Sequence, residues 1–312
     1  MSLREVFALG SYLSPELKGR TISDARHTVS LTDSLQQASL VGRPEELAGR
    51  SVLLAVSDQL ISAIAMTEID GLARRMLLCP PDLNPDHVRS LIEDAEIDAI
   101  VTDEPARWSD VGVYQVAAAR MPVRAPTRAR AKRATEWLMP TSGISGVPKI
   151  VSHTLQGLCG AIIADAPARG TPPVWATFCD IRRDGGLQIL LRAIIGGGSM
   201  VLSEPGEPMA DYVARLASRG VTHVSGTPSH WRKLLMSGSA GGFSPCHIHL
   251  SGEIADQDVL DALKQAFPDA SIGKACASTE ADDVARIVEH LVDEAGRNVR
   301  GSTRTMDAGN AA

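Results

Sequence analysis

Ser51-Val-Leu-Leu-Ala-Val56, the run from Gln59 to Leu72, and Met76-Leu-Leu-Cys79 alternate short apolar segments with one of helical length. The short runs read as buried strands and the longer one as a helix, because strands of parallel sheets are covered on both faces. Pro85 to Ala95 reads as a further helix, and Ile97-Asp-Ala-Ile-Val-Thr102 closes a first α/β unit. A second series places helices near Thr154 to Ile163, Leu187 to Ile195, Met209 to Ser218, His230 to Met236 and Ile254 to Phe267. Strands at Val174 to Cys179, Ser199 to Leu202, Val221 to Val224, His247 to Leu250 and Ser271 to Ala275 separate them. Such alternation predicts an α/β chain with two doubly wound, mainly parallel sheets.

The 312 residues suffice for a sizeable core and for two domains. With 31 basic and 37 acidic residues the net charge is −6, which argues against nucleic acid or an anionic membrane surface as partner. Cys79, Cys159, Cys179, Cys246 and Cys276 are scattered, odd in number and free of CxxC spacing, as expected of reduced thiols in a cytoplasmic protein. Met1-Ser-Leu-Arg-Glu-Val-Phe7 lacks the pattern of a secretory signal. Leu187 to Leu202, the longest apolar stretch, is broken by Arg192 and three glycines, so no membrane span is expected. The basic segment Met121 to Arg133 has two prolines and no apolar periodicity. It reads as a linker; the competing reading, a nucleic-acid arm, lacks interleaved aromatic residues for base stacking.

Thr141-Ser-Gly-Ile-Ser-Gly-Val-Pro-Lys149 carries the chemistry. Small and hydroxylated residues leave backbone N–H groups and hydroxyls free to wrap phosphate oxygens, and Lys149 adds positive charge. The segment is not a Walker loop, because Pro148 lacks a donor and disfavours helix ahead of it. A β-turn of purely structural role is the bland alternative for the loop taken alone. With Ser152-His153, Gly185 to Gly198, Val221 to Pro228, Ser251-Gly-Glu253 and Ala277-Ser-Thr-Glu280 in order, the chain from about Arg50 to Glu280 resembles the adenylate-forming superfamily. That group includes acyl-CoA synthetases and peptide-synthetase adenylation domains.

The resemblance implies an AMP-forming ligase: a small carboxylic acid attacks the α-phosphate of ATP, and a thiol such as coenzyme A then takes the acyl group. It implies that Thr141, Ser142, Gly143, Ser145 and Gly146 hold the β- and γ-phosphates, with Lys149 as charge partner. Ser251, Gly252, Glu253 and Cys276 would line the adenine site, Thr279 would bond the α-phosphate, and Glu280 would hold Mg2+. Positioning and charge neutralisation suffice for such a displacement.

Several residues depart from the family pattern. Ile144 replaces a hydroxyl residue, Ile150 a glycine, and Cys276 an aromatic residue near adenine. Arg182 and Arg183 fall near a position where many members have histidine. They are candidates for the substrate carboxylate or for ion pairs with Asp180 and Asp184, the latter favoured. Only 32 residues follow Glu280, without the family's ribose-binding aspartate, hinge or lysine-bearing lid. The expectation is therefore a chain truncated before its C-terminal domain, weak or inactive alone, with a separate chain as one possible source of the lid. The alternative is a non-catalytic remnant or a module that binds an acid or a partner.

Val284, Ile287, Val288, Leu291 and Val292 follow helical spacing, so the tail is expected to form an amphipathic helix that covers core or docks a partner. The expected organisation is 1–48 N-terminal segment, 49–120 first α/β subdomain, 121–134 linker, 135–280 nucleotide-binding α/β subdomain, and 281–312 helix and disordered tail. Cys246-His-Ile-His249 sets two histidines on one strand face, a metal pair without a third ligand and more simply a core or edge strand. His153 and His230 are candidate bases, or packing residues at helix starts. No Gly-x-Ser-x-Gly elbow supports a hydrolase.

Overall fold

A computed structural model describes residues 8–13, 15–32, 37–41, 44–124, 133–141, 148–164, 171–275 and 290–291. The chain opens with short strands β1 (Thr21–Ser23), β2 (Thr28–Ser30) and β3 (Gln37–Leu40). The first α/β series is β4 (Ser51–Ala55), α1 (Gln59–Ile69), β5 (Arg75–Leu78), α2 (Pro85–Asp94), β6 (Ala99–Thr102) and β7 (Tyr114–Arg124). A hairpin of β8 (Glu136–Thr141) and β9 (Lys149–Thr154) comes next, then α3 (Leu155–Ala164). The second series is β10 (Val174–Thr177), α4 (Asp184–Ile195), β11 (Ser199–Val201), α5 (Met209–Ser218), β12 (His223–Gly226), α6 (Pro228–Met236), β13 (His247–Ser251), α7 (Gln257–Ala266), β14 (Ser271–Ala275) and β15 (His290–Leu291).

Seven strands form one sheet in the order β3-β7-β6-β4-β5-β8-β9, and eight form the other in the order β15-β14-β13-β12-β10-β11-β1-β2. Both are parallel inside and end in antiparallel edge strands. Apolar side chains of α1, α3 and α4 fill the layer between the sheets, together with Val52, Met76, Trp137, Trp175 and Met200. Because α1 is covered on all sides, it is apolar nearly all round. Leu53, Leu77, Ile100 and Leu138 face α2 on the outside of the first sheet, and Val224, Ile248 and Leu250 join α5, α6 and α7 outside the second.

Three expectations are corrected. The sheets do not divide at 121–134: β7 continues through Met121 to Arg124, where it pairs with β3. Pro122, which has no N–H to give, falls within the register irregularity between Ala38 and Leu40. Nor does Glu136 to Thr154 open the second unit, since β8 pairs with β5 and completes the first sheet. The indole of Trp137 donates to the buried Asp70 carboxylate at 2.9 Å, which also accepts from Leu9 N at 2.6 Å, tying β8 and the N-terminal segment to the end of α1. In the tail, His290–Leu291 is extended and pairs with the edge of β14, so that part is not helical. The remainder of 281–312 lies outside the described residues.

Polar contacts join the two sheets at the carboxyl ends of their strands. Arg182, 1% exposed, is held by Asp180 through Nε at 2.7 Å and Nη2 at 2.5 Å, and it donates from Nη1 to the carbonyl of Val56 just beyond β4. Gln59 accepts from Ile181 N at 2.9 Å and donates to the Ser203 carbonyl at 2.8 Å. A Cβ on Gly186 would lie 2.1 Å from the Asp180 carbonyl oxygen, so glycine alone lets α4 start this close to the arginine turn. Arg183 reaches Asp82 at 2.6 Å on the surface.

The inward face of the second sheet is polar at β12 to β14. His223 stacks on His247 with centroids 4.3 Å apart, and Trp175 lies 4.5 Å from His223 and 5.6 Å from His249. Burial, then neighbouring histidines, push the His223 imidazole down to about 4; burial, then Arg192 and His247, do the same for His249. Burial pushes the Asp70 carboxyl the other way, up to about 6.

Arg182→Met leaves Asp180 with only the backbone N–H of residue 182 and the Val56 carbonyl without its guanidinium donor, and lowers the urea unfolding free energy by about 3–5 kcal/mol, whereas Arg183→Met costs no more than about 1 kcal/mol. Equal small losses would show that the buried pair does not hold the sheets together. As for pH, unfolding frees His223 and His249 to take up protons, so stability falls as pH drops from about 6.5 towards 4. Asp70 acts oppositely, because its carboxyl protonates first in the folded chain. His223→Asn therefore flattens the acid loss and Asp70→Asn steepens it, read from melting temperature against pH; unchanged slopes would refute the assignment.

Candidate functional site

Thr141 and Lys149 close the β8–β9 hairpin as register partners, and the Thr141 hydroxyl donates to the Lys149 carbonyl at 3.3 Å. The phosphate-type loop thus spans two antiparallel strands, and Lys149 opens a strand. In a Walker loop the lysine leads into a helix instead, so the two differ as the sequence implies. Lys149 is exposed. Ser142, Gly143, Ser145 and Gly146 lie outside the described residues. A cleft of about 520 Å³ runs beside the hairpin, with Lys149, Pro148, Arg75 and Glu136 among its lining residues. Glu136 accepts from Ser152 at 2.5 Å and from Arg75 at 2.7 Å. The Ser152 bond is the largest influence holding its carboxyl below the ordinary range, and Arg75 reinforces it against burial.

Ser251, Gly252 and Glu253 leave the carboxyl end of β13. Gly252 has φ 77°, a left-handed conformation that favours glycine, and a Cβ there would meet the Thr227 methyl at 3.5 Å. Glu253 accepts from Ser229 N at 3.1 Å and from its hydroxyl at 2.6 Å, so its carboxylate sits over the first turn of α6. The Ser229 hydroxyl bond leads the effects that lower its pKa. A negative charge is favoured at a helix N-terminus. The Glu253 side chain is therefore engaged by α6.

The same turn fixes His230. Thr227 caps α6, Pro228 takes its first position, and His230 completes a capping box with Nδ1 accepting from Thr227 N at 3.2 Å. Its ring stacks on Phe178 at 5.9 Å, and burial lowers its pKa, keeping the imidazole neutral. Of the two readings for His230, the structure supports the helix-start role. The signal was present in Thr227-Pro-Ser-His230, a cap followed by proline. Near Ser251, a Cβ on Gly185 would lie 3.8 Å from both Ser251 Oγ and Cys179 Sγ, so the start of α4 meets the end of β13 here. Cys179 is partly buried, and burial raises its pKa, which keeps the thiol protonated. Nothing local in the sequence marks Cys179 as a neighbour of Ser251, because only the fold brings the two together.

Neither arginine of the 178–185 segment points its described contacts at a ligand: Arg182 pairs with Asp180 and Arg183 with Asp82. Asp184 instead hydrogen-bonds Gln188, and burial raises its pKa. His247 and His249 share a strand face as expected, but among the described residues no group of three or more His, Cys, Asp or Glu side chains is placed to hold a metal ion. Cys276, Thr279 and Glu280 lie outside the described residues. Among the described residues no helix is long and apolar enough to cross a membrane. What the structure does bring together is one rim: Thr141 and Ser251 both end parallel strands, and the Arg182 and Gln59 contacts join the two sheets along that edge. Open α/β sheets bind ligands on this edge.

The family model for AMP-binding enzymes matches residues 75–303. No curated protein sequence matches the chain. Among solved structures, VinN aligns with a TM-score of 0.68 and 18% identity over 89% of this chain and 76% of its own. VinN in complex with L-aspartate gives 0.67 and 18% over 89% and 78%. The N-terminal subdomain of Klebsiella oxytoca NpsA in complex with 3-hydroxybenzoyl-AMSN gives 0.68 and 16% over 87% and 72%. At such identities the likeness speaks for the fold, two mainly parallel sheets with helices between and outside them. The matched family model spans most of the chain, and the chain belongs to the AMP-binding enzymes, the adenylate-forming group that its ordered motifs resemble.

Proposed function

We propose that this protein is an AMP-forming acid ligase that activates a small carboxylic acid with ATP. The observation that carries the reading is the loop between Thr141 and Lys149, hung on an antiparallel hairpin with the lysine exposed at its base. The residues between include small and hydroxylated ones in sequence, the types that offer N–H groups and hydroxyls to phosphate oxygens. Thr141, Ser142, Gly143, Ser145 and Gly146 are the proposed phosphate ligands, and Lys149 offsets the charge that builds up on the leaving group. Ser251, Gly252, Glu253 and Cys276 are the proposed adenine edge, and the left-handed turn at Gly252 supports a close approach of ligand to backbone there.

The step forms a bond from a carboxylate oxygen to the α-phosphorus and breaks the bond from that phosphorus to the bridging oxygen of pyrophosphate. Thr279 is proposed to hold the α-phosphate and Glu280 to ligate Mg2+, which neutralises phosphate charge when bound. Transfer to coenzyme A is the proposed second half-reaction, the thiol displacing AMP from the acyl group. L-Aspartate bound to VinN supports a small acid as the substrate class.

Magnesium-dependent ATP/pyrophosphate exchange over a panel of short, long and aromatic acids tests the reading. Exchange that depends on the acid and falls by about 10²–10³ in Lys149→Ala supports it. No exchange with any acid in the folded chain would replace it with an acid- or partner-binding module of the same fold. Thioester formation on adding coenzyme A decides whether that thiol is the acceptor.

A further inference from the structure

Arg182 and Arg183 are neighbours in sequence and opposite in commitment. Arg182 is 1% exposed, and Asp180 and the Val56 carbonyl take its Nε, Nη1 and Nη2. The Arg183 side chain is 43% exposed and uses Nη2 alone, which donates to both carboxylate oxygens of Asp82 at 2.6 Å. Among the described residues its Nε and Nη1 meet no acceptor. Asp82 is more open still, with 67% of its side chain exposed. An ion pair this open to water contributes little to stability, so trading Asp82 for another carboxylate on the same guanidinium costs little.

The pair also occupies a particular place. Asp82 lies beyond the carboxyl end of β5, and β5 neighbours β8, whose last residue Thr141 opens the proposed phosphate loop. Arg183 follows β10 and stands two residues before Gly185, where a Cβ would lie 3.8 Å from Ser251 Oγ and Cys179 Sγ. The ion pair therefore crosses the rim from the Ser251 side to the strand beside β8, between the proposed adenine edge and the proposed phosphate loop. A nucleotide held at those two places sets its α-phosphate between them, and the acid has to arrive there. A carboxylate approaching a phosphate meets like charge, and a guanidinium offsets it with a planar fork matched to carboxylate oxygens. Arg182 has no donor group left for this, whereas Arg183 does. We infer that Arg183 receives the acid, giving up Asp82 to hold the substrate carboxylate beside the α-phosphate. The inference rests on the acid-ligase reading above and names the residue that selects for a carboxylate.

Calorimetric titration of acetate, hexanoate and benzoate into the full chain at low ionic strength, with α,β-methylene ATP present so that no adenylate forms, provides the test. For whichever of these binds the wild type, Arg183→Met weakens binding about 10–100-fold, the loss expected of a hydrogen-bonded charge. Asp82→Asn keeps the shape and removes the competing charge, so it tightens the same acid about two- to fivefold. Neither variant changes the affinity for α,β-methylene ATP measured alone. A bridge of purely structural role would move both variants in the same direction. If Asp82→Asn fails to tighten the acid, or Arg183→Met fails to weaken it, the inference is overturned and the ligase reading stands. Loss of α,β-methylene ATP binding in Arg183→Met, with the acid untouched, assigns the guanidinium to a phosphate and overturns it as well. Failure of all three acids to bind the folded wild type counts against the acid site itself, and the inference falls with it.

Discussion

The guanidinium of Arg182 is the constraint around which the two halves of this molecule are arranged. It is almost wholly buried, so its charge has to be met within the protein, and Asp180 meets it from two positions earlier in the same turn. The remaining donor reaches the end of β4 in the other sheet. A buried cation without partners is costly, so the turn after β10, the start of α4 and the end of β4 are held in one arrangement. Gln59 repeats the device with a neutral amide, accepting from one strand end of the second sheet and donating to another.

These contacts occupy a particular place in the topology. In the first sheet, chain order runs from β4 outward to β5 and then back across to β6, so the crevice between the carboxyl ends of β4 and β6 is where a doubly wound sheet ordinarily receives its ligand. Arg182 and the surface residue Arg26, which pairs with Asp58 and Glu204, reach that crevice from the second half of the structure. The first sheet thus uses its switch point to grip the second. The loop proposed to hold the phosphates hangs instead on the β8–β9 hairpin, towards the other edge.

Much of this was legible in the amino-acid sequence wherever one strand or helix announces itself by its own residues. Ser51 to Val56, Met209 to Ser218 and Ser271 to Ala275 fall on elements of nearly the expected extent, because burial on one or both faces leaves a local pattern. The ion pair of Arg182 was legible for the same reason, its partner being two residues away. The partner of Arg183 is 101 residues distant and was not. Sheet membership was the other blind spot. Nothing local in Glu136 to Thr154 says that it pairs with β5, and three-residue strands such as β1 are too short to show a period. The site divides likewise. The Thr141 and Ser251 loops are motifs of contiguous residues, whereas the approach of Cys179 and Ser251 around Gly185 exists only once β10, β12 and β13 lie side by side.

The pairing of β1 carries a consequence for how the chain is made. Thr21 N donates to Ser199 Oγ across 178 positions, and Ile22 lies in register with Met200. A ribosome adding about 5–20 residues per second takes roughly 9–36 s to supply that partner. Through that interval the β1–β2 hairpin waits with one edge unmatched, while the first sheet is already able to assemble behind it. The β1–β2 hairpin is thus made early and seated late, and closure of the second sheet becomes a step that vectorial synthesis places after assembly of the first.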